Sequence, residues 1–249
     1  MRYWLVMPAA GAGTRFGAAL PKQYAPLEGR TVIEWALAPF LDDPRCAHAV
    51  VALAPADRHW DAVARRLAAT AGGGLSRVRS VTGGETRSRS VRFGLAALEA
   101  RAAPDDWVLV HDAARPCLAR ADLDRLIEAL ESMALGGLLA SPVRDTLKRM
   151  CEPATQVQDA APAAPEVSAT VERSGLWRAL TPQMFRFRPL CTALDAARAA
   201  AREPGDEAEA LEWRGERPLL IEGAAGNLKI TGAEDLTLAA AILRARHRE

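Results

Sequence analysis

Apolar residues fall in short unbroken runs, separated by stretches where they recur every three or four positions. Tyr3 to Pro8 is such a run, as expected of a strand covered on both faces. Val32-Ile33-Glu34-Trp35-Ala36-Leu37 then begins an amphipathic helix. Thr31 stands at its N-cap and Glu34 at the capping-box spacing. A strand follows over Ala47–Ala54. Asp57 is placed to cap a helix reaching about Ala68, which Gly72-Gly73-Gly74 ends before a short strand at Val78–Val81. Val91, Leu95 and Leu98 mark a helix at i, i+4, i+7. Trp107–Val110 is another buried strand. Leu123, Leu126, Ile127 and Leu130 line a helix face, and Gly136–Val143 is a further strand. Strand–helix alternation of this kind predicts the α/β class, with a mostly parallel sheet and helices on both faces.

The pattern breaks at Arg144. From there to about Arg173 no helical period is present. Thr146–Arg149 and Val167–Glu172 read as extended pieces around an Ala/Pro-rich tip, Glu152–Pro165. Two extended pieces flanking a loop predict a hairpin that projects from the sheet and is able to pair with a second subunit. Leu180-Thr181-Pro182-Gln183 comes next. Helices are then expected at about Pro189–Arg202 and Asp206–Arg214, a strand at Pro218–Glu222, and a last helix from Gly232 to about Arg246. No repeat is visible. One domain is expected over residues 1–249, with the arm at about 144–173.

Composition narrows the function classes. A net charge of +1 lacks the bulk basicity of a nucleic-acid binder. No run reaches membrane-spanning length, and Tyr3–Met7 is too short for the apolar region of a signal peptide. The four cysteines stand far apart with no CxxC pair, so neither a zinc site nor a redox motif is indicated and a reducing cytoplasm is expected. Lys22, Lys148 and Lys229 are the only lysines among 32 basic residues.

The candidate chemistry starts where the first strand ends. Ala9-Ala10-Gly11-Ala12-Gly13-Thr14-Arg15 is a loop of small residues, and Lys22 lies just beyond. Small residues let backbone N–H groups close on a ligand, and N–H groups arrayed in a turn form an anion site. Arg15 and Lys22 then suit a polyphosphate, or are solvated surface charges. Phe16 departs from GxGxxG, and Walker A chemistry lacks its GKS or GKT. Gly83–Ser90 is a second small-residue loop, either a plain loop with an N-cap or a wall for a base that Ser90 hydrogen-bonds. Asp112 closes an apolar strand, where ligands sit in open α/β sheets. It is placed to hold Mg²⁺ or a substrate hydroxyl, or to cap the helix starting near Arg120. His111 reads as a packed or turn histidine rather than a base. Lys229 is an exposed edge residue or aims into the site.

Taken together, six segments resemble the 2-C-methyl-D-erythritol 4-phosphate cytidylyltransferase family. They are Pro8–Arg15, Pro21–Tyr24, His111–Pro116, Pro142–Lys148, Leu180–Gln183 and Asn227–Thr231, in the expected order over nearly the whole chain. The resemblance implies a Rossmann-like domain whose β-arm clasps a partner in a homodimer. It implies transfer of CMP from CTP, with Mg²⁺, to 2-C-methyl-D-erythritol 4-phosphate, releasing pyrophosphate. By that resemblance Ala9, Ala10, Gly83 and Ser90 surround the nucleoside, and Gly11, Gly13, Arg15 and Lys22 hold the triphosphate. Asp112, Arg115, Thr181 and Lys229 belong to the acceptor side and the reacting phosphate. Thr146 and Arg173 reach into the neighbouring subunit's site. Arg15, Lys22 and Lys229 are the implied catalytic cations, and Asp112 is the candidate metal ligand. Two departures stand out: Gly205 replaces the Thr that precedes Asp-Glu-Ala, and the arm tip is longer and richer in Ala and Pro. A cytidylyltransferase acting on ribitol 5-phosphate, a sugar 1-phosphate nucleotidyltransferase and a non-catalytic nucleotide-binding module are the competing functions.

Overall fold

The computed structural model describes residues 1–11, 20–69, 74–151 and 164–246. In chain order the elements are β1 (Tyr3–Ala9), β2 (Pro26–Leu27), β3 (Arg30–Thr31), α1 (Val32–Leu41), β4 (Cys46–Leu53), α2 (Trp60–Ala69) and β5 (Val78–Thr82). Then come α3 (Arg87–Ala96), β6 (Trp107–Val110), α4 (Arg120–Leu130), β7 (Gly136–Pro142), β8 (Leu147–Met150) and β9 (Val167–Val171). The chain continues through β10 (Trp177–Arg186), α5 (Phe187–Ala199), α6 (Glu207–Glu212), β11 (Leu219–Glu222) and α7 (Glu234–Arg246).

Seven strands form one sheet in the order β11-β7-β10-β6-β1-β4-β5. β1 pairs in parallel with β4 and β6, β4 with β5, and β7 with β11. The predicted mostly parallel α/β sheet is therefore present. Side chains alternate across each strand, and the two faces show it. Leu5 and Met7 pack with α1, α2 and α4, whereas Val6 packs with α3, α5 and α6. Gly94 brings α3 onto the sheet: a Cβ built there would stand 2.5 Å from Val6 Cγ1.

β10 was not among the expected strands. It runs antiparallel between β6 and β7, with Gln183 opposite Val110 and Leu138. The Thr181–Pro182 peptide bond is cis, and the β7–β10 register shifts between Ala179 and Gln183. A Pro within a run argues against a central strand, which is why the element escapes a pattern reading. The irregular register absorbs it. A second correction concerns Gly83–Ser90. This is a loop only as far as Thr86, which caps α3, so Ser88 and Ser90 lie in the first turn of the helix.

Other local expectations are met. The Glu34 carboxylate accepts from both the N–H and the hydroxyl of Thr31, at 2.8 and 2.6 Å. Asp57 accepts from the N–H groups of His59 and Trp60. β8 and β9 pair antiparallel as a hairpin, with Leu147 opposite Val171. Met150 and Val167 on this hairpin are exposed. The tip at 152–163 lies outside the described residues.

Candidate active site

The parallel strands β1 and β6 end side by side, with Val6 opposite Val110. β10 runs the other way and delivers Thr181 to the same edge. Ligands bind at the carboxyl ends of such strands, where the order of connection reverses. A cleft opens there, and its lining includes Ala9, Ala10, Gly11, Lys22, Ser90, Asp112 and Lys229. These seven expected site residues are thus brought to one place. Gly13 and Arg15 lie outside the described residues. Thr146 and Arg173 do not line this cleft. Both are exposed at the base of the hairpin, where the Arg173 guanidinium donates to the carbonyl of Arg144.

The start of the small-residue loop is anchored by Gln23, which also lines the cleft. Gln23 is buried, and its amide donates to the carbonyls of Ala9 at 2.9 Å and Gly11 at 3.3 Å. Gly83 meets the loop closely. A Cβ there would lie 2.7 Å from Ala10 Cβ and 2.9 Å from Ser90 Oγ. Ser90 itself accepts from the Gly84 N–H at 3.1 Å and donates to the Thr86 carbonyl at 2.9 Å. These bonds fold the 83–86 loop against the cleft wall.

Asp112 is the electrostatic centre. It is buried, and it caps no helix: the N-cap of α4 is Ala119. Its Oδ1 accepts from Arg87 Nε at 2.8 Å, and its Oδ2 accepts from Lys229 Nζ at 2.8 Å. Arg115 Nε stands 3.8 Å from Oδ2. Burial works against a charge on Asp112, but the Arg87 and Lys229 cations outweigh it and hold the carboxyl well below the usual carboxylate range. Lys229 therefore points into the site rather than along an exposed edge.

Around this centre the packing is polar and nearly saturated. Arg115 donates to the carbonyls of Asn227 and Ala179, and Asn227 donates to the carbonyl of Thr181 at 2.7 Å. Among the described residues, Arg115 Nε and Asn227 Oδ1 are the buried side-chain atoms without a hydrogen-bond partner. His111 is fully buried, as expected of a packed histidine. Its Nε2 lies 3.1 Å from the Arg115 carbonyl and its Nδ1 lies 2.9 Å from Thr181 Oγ1. Burial lowers its pKa to about 4.

Two site residues were not foreseen. Arg87 also holds Glu207 through both terminal nitrogens, at 2.7 and 3.0 Å, and Glu207 is fully buried. A sequence signal existed for Glu207: it shares a buried face with Ala208, Ala210 and Leu211, and a carboxylate on an apolar stripe demands a partner. Gly205, by contrast, turns its N–H onto Glu209 at 2.7 Å and does not line the cleft.

A protein-held metal does not fit this arrangement. Mg²⁺ takes oxygen ligands in octahedral geometry. Asp112 offers one carboxylate that is already paired with Arg87, Lys229 and, at longer range, Arg115. Among the described residues no group of three or more His, Cys, Asp or Glu side chains is placed to hold an ion.

The chain is similar to known proteins along its whole length. The sequence profile of the 2-C-methyl-D-erythritol 4-phosphate cytidylyltransferase family matches residues 3–245. A protein of that name from Halorhodospira halophila is 51% identical over 252 residues, covering 98% of this chain and 95% of that one. Another from Acidithiobacillus ferrooxidans is 49% identical, covering 100% of this chain and 99% of its own. Among solved structures, the crystal structure of a 4-diphosphocytidyl-2C-methyl-D-erythritol synthase is 39% identical. It superposes with a TM-score of 0.79 and covers 97% of this chain and 98% of that one.

Proposed function

Because the chain belongs to the 2-C-methyl-D-erythritol 4-phosphate cytidylyltransferase family, we propose that its cleft transfers CMP from CTP to 2-C-methyl-D-erythritol 4-phosphate. The products are 4-diphosphocytidyl-2-C-methyl-D-erythritol and pyrophosphate, within isoprenoid precursor synthesis. The observation that carries this reading is the union of a small-residue loop, Lys22 and the Asp112–Lys229 pair at adjoining strand ends.

The chemistry needs no protein nucleophile and no base. An oxygen of the acceptor's phosphate attacks the α-phosphorus of CTP. The new O–P bond forms as the bond to the bridging oxygen of pyrophosphate breaks, and the leaving group carries the electron pair away. The difficulty lies in joining two polyanions and in stabilising the charge on the five-coordinate transition state. Fixed cations and positioning answer it. A unit-charge pair at ~4 Å is worth about 4 kcal/mol at an effective dielectric near 20, so Lys22 and Lys229 are groups of adequate strength.

In this proposal Ala9, Ala10, Gly83 and Ser90 face the nucleoside, and the backbone of Gly11 and Gly13 lies along the triphosphate. Arg15 and Lys22 neutralise the departing pyrophosphate. Asp112, Arg115, Thr181 and Lys229 form the acceptor side. Mg²⁺ accompanies the CTP phosphates rather than a protein cage. The chain acts as one domain, 1–249, whose hairpin clasps a second copy and lends Thr146 and Arg173 to its site. A cytoplasmic location belongs to the same proposal. Among the described residues, no helix is long and apolar enough to cross a membrane.

Pyrophosphate release with a panel of nucleotides and acceptors tests the assignment. Release is expected with CTP and 2-C-methyl-D-erythritol 4-phosphate together. Faster turnover of ribitol 5-phosphate would reassign the acceptor. Binding of CTP without turnover of any acceptor would leave a non-catalytic nucleotide module.

A further inference from the structure

Arg87 has the chemistry of a phosphate ligand and stands at the cleft wall, yet its guanidinium is already committed. Nε donates to Asp112 Oδ1 at 2.8 Å, and the two terminal nitrogens fork onto Glu207 at 2.7 and 3.0 Å. Bidentate pairs of this kind fix orientation as well as energy. Glu207 shows none of its surface, so turning Arg87 toward a substrate would leave a buried carboxylate unpaired.

Glu207 is itself held from the sheet. The buried amide of Gln183, on β10, donates to the carboxylate of Asp206, the N-cap of α6, at 2.9 Å. Its carbonyl oxygen accepts from the Ala208 N–H at 2.9 Å. A continuous line of bonds therefore runs from β10 through the start of α6 to Glu207, Arg87 and Asp112. At its end is Lys229, whose ammonium donates to Asp112 Oδ2 at 2.8 Å and whose side chain is 39% exposed. Of the two cations hydrogen-bonded to Asp112, Lys229 is thus the one able to move onto an incoming phosphate, and Arg87 is the one that stays.

We propose that the Glu207–Arg87 pair is a positioning device: it pins one oxygen of Asp112, so that the other presents Lys229 at a fixed point beside the reacting phosphates. The proposal rests on the transferase reading above. Neither residue is a substrate ligand. With Glu207 neutralised, Arg87 loses its anchor, Asp112 loses its fixed orientation, and Lys229 is presented out of place.

The test uses Glu207→Gln and the double variant Arg87→Met/Glu207→Leu, each assayed for kcat and for KM of both substrates, with unfolding midpoints measured alongside. Glu207→Gln is expected to lower kcat by about 10²-fold, the effect of a misplacement near 1 Å, with KM for CTP little changed. The double variant carries no unpaired buried charge, and such apolar replacements are generally tolerated by a fold. It is expected to fold and to remain as slow as Glu207→Gln. If the pair served only the fold, the double variant would recover activity together with stability, and the proposal would be overturned. A Glu207→Gln enzyme with wild-type or faster kcat would likewise overturn it and make Arg87 a direct ligand. Should Glu207→Gln fail to fold, the double variant alone decides between these outcomes. Wild-type enzyme run in parallel separates the two levels. No turnover by wild type sinks the transferase reading and this inference with it, whereas wild-type turnover with undiminished variants sinks the inference alone.

Discussion

His111 packs against the Phe40 ring at 5.1 Å between centroids and touches no solvent. A backbone carbonyl can only accept, so the bond to Arg115 O places the proton on Nε2. Nδ1 then accepts from the Thr181 hydroxyl, whose oxygen accepts the Asp112 N–H at 3.1 Å. The neutral ring therefore orients Thr181, and Thr181 orients the backbone of Asp112. Protonating the ring would remove the acceptor at Nδ1. The folded pKa is about 4 against an ordinary 6.5, with burial the leading cause. Between those values the unfolded chain binds a proton that the folded chain refuses. Stability from this residue is thus full above about pH 6.5 and is lost as pH falls toward 4, by about 3 kcal/mol in all. The urea midpoint of the wild type should fall from pH 7 to pH 5. His111→Gln should show a flatter dependence over that window. Equal slopes in both proteins would assign the effect to other groups.

At the scale of elements, α3 links the core to the cleft. Its first turn carries Arg87 and Ser90, and its far end lies on β1 through Gly94. Alanine at 94 would gain about 1 kcal/mol of helix propensity. It would also force a methyl against the buried, β-branched Val6, and overpacking of this kind costs roughly 1–3 kcal/mol. A net loss of stability is expected, read as a lower denaturant midpoint at unchanged m-value. A variant as stable as wild type would mean the helix shifts freely. The same helix shows what the sequence carries and what it does not. β1 and β6 were legible because both are covered on two faces and read as unbroken apolar runs. The Thr31–Glu34 box and the Asp57 cap were legible because their partners lie within three residues. β10 was hidden by Pro182, since its fit depends on a register shift against β7. The cleft loop and Lys22 stood out by spacing alone, whereas the placing of Lys229 needed Asp112. The Arg87–Glu207 bond spans 120 positions. No local pattern encodes it, although a carboxylate on the apolar stripe of α6 demanded some partner.

For the whole molecule, the arm poses the question of which cleft it serves. The hairpin of β8 and β9 has exposed apolar residues at Met150 and Val167, and Leu176 and Trp177 beside it are also exposed. Thr146 and Arg173 stand at its base, outside the lining of the cleft in their own chain. In the proposed dimer each site joins the cleft of one subunit to the arm of the other. Lys22→Ala should then lower kcat by about 10²-fold, the usual cost of one electrostatic stabiliser. Arg173→Ala should raise KM for the phosphorylated alcohol and leave CTP binding nearly intact. The two lesions fall on different sites when the variant chains are mixed. A mixed dimer contains one site with both lesions and one with neither. Random reassociation of equal amounts makes half the dimers mixed, so about a quarter of all sites should be intact. At limiting acceptor the mixture should regain about that share of wild-type activity, well above the mean of the two variants alone. If the arm serves its own chain, every site keeps one lesion, and mixing adds nothing to that mean.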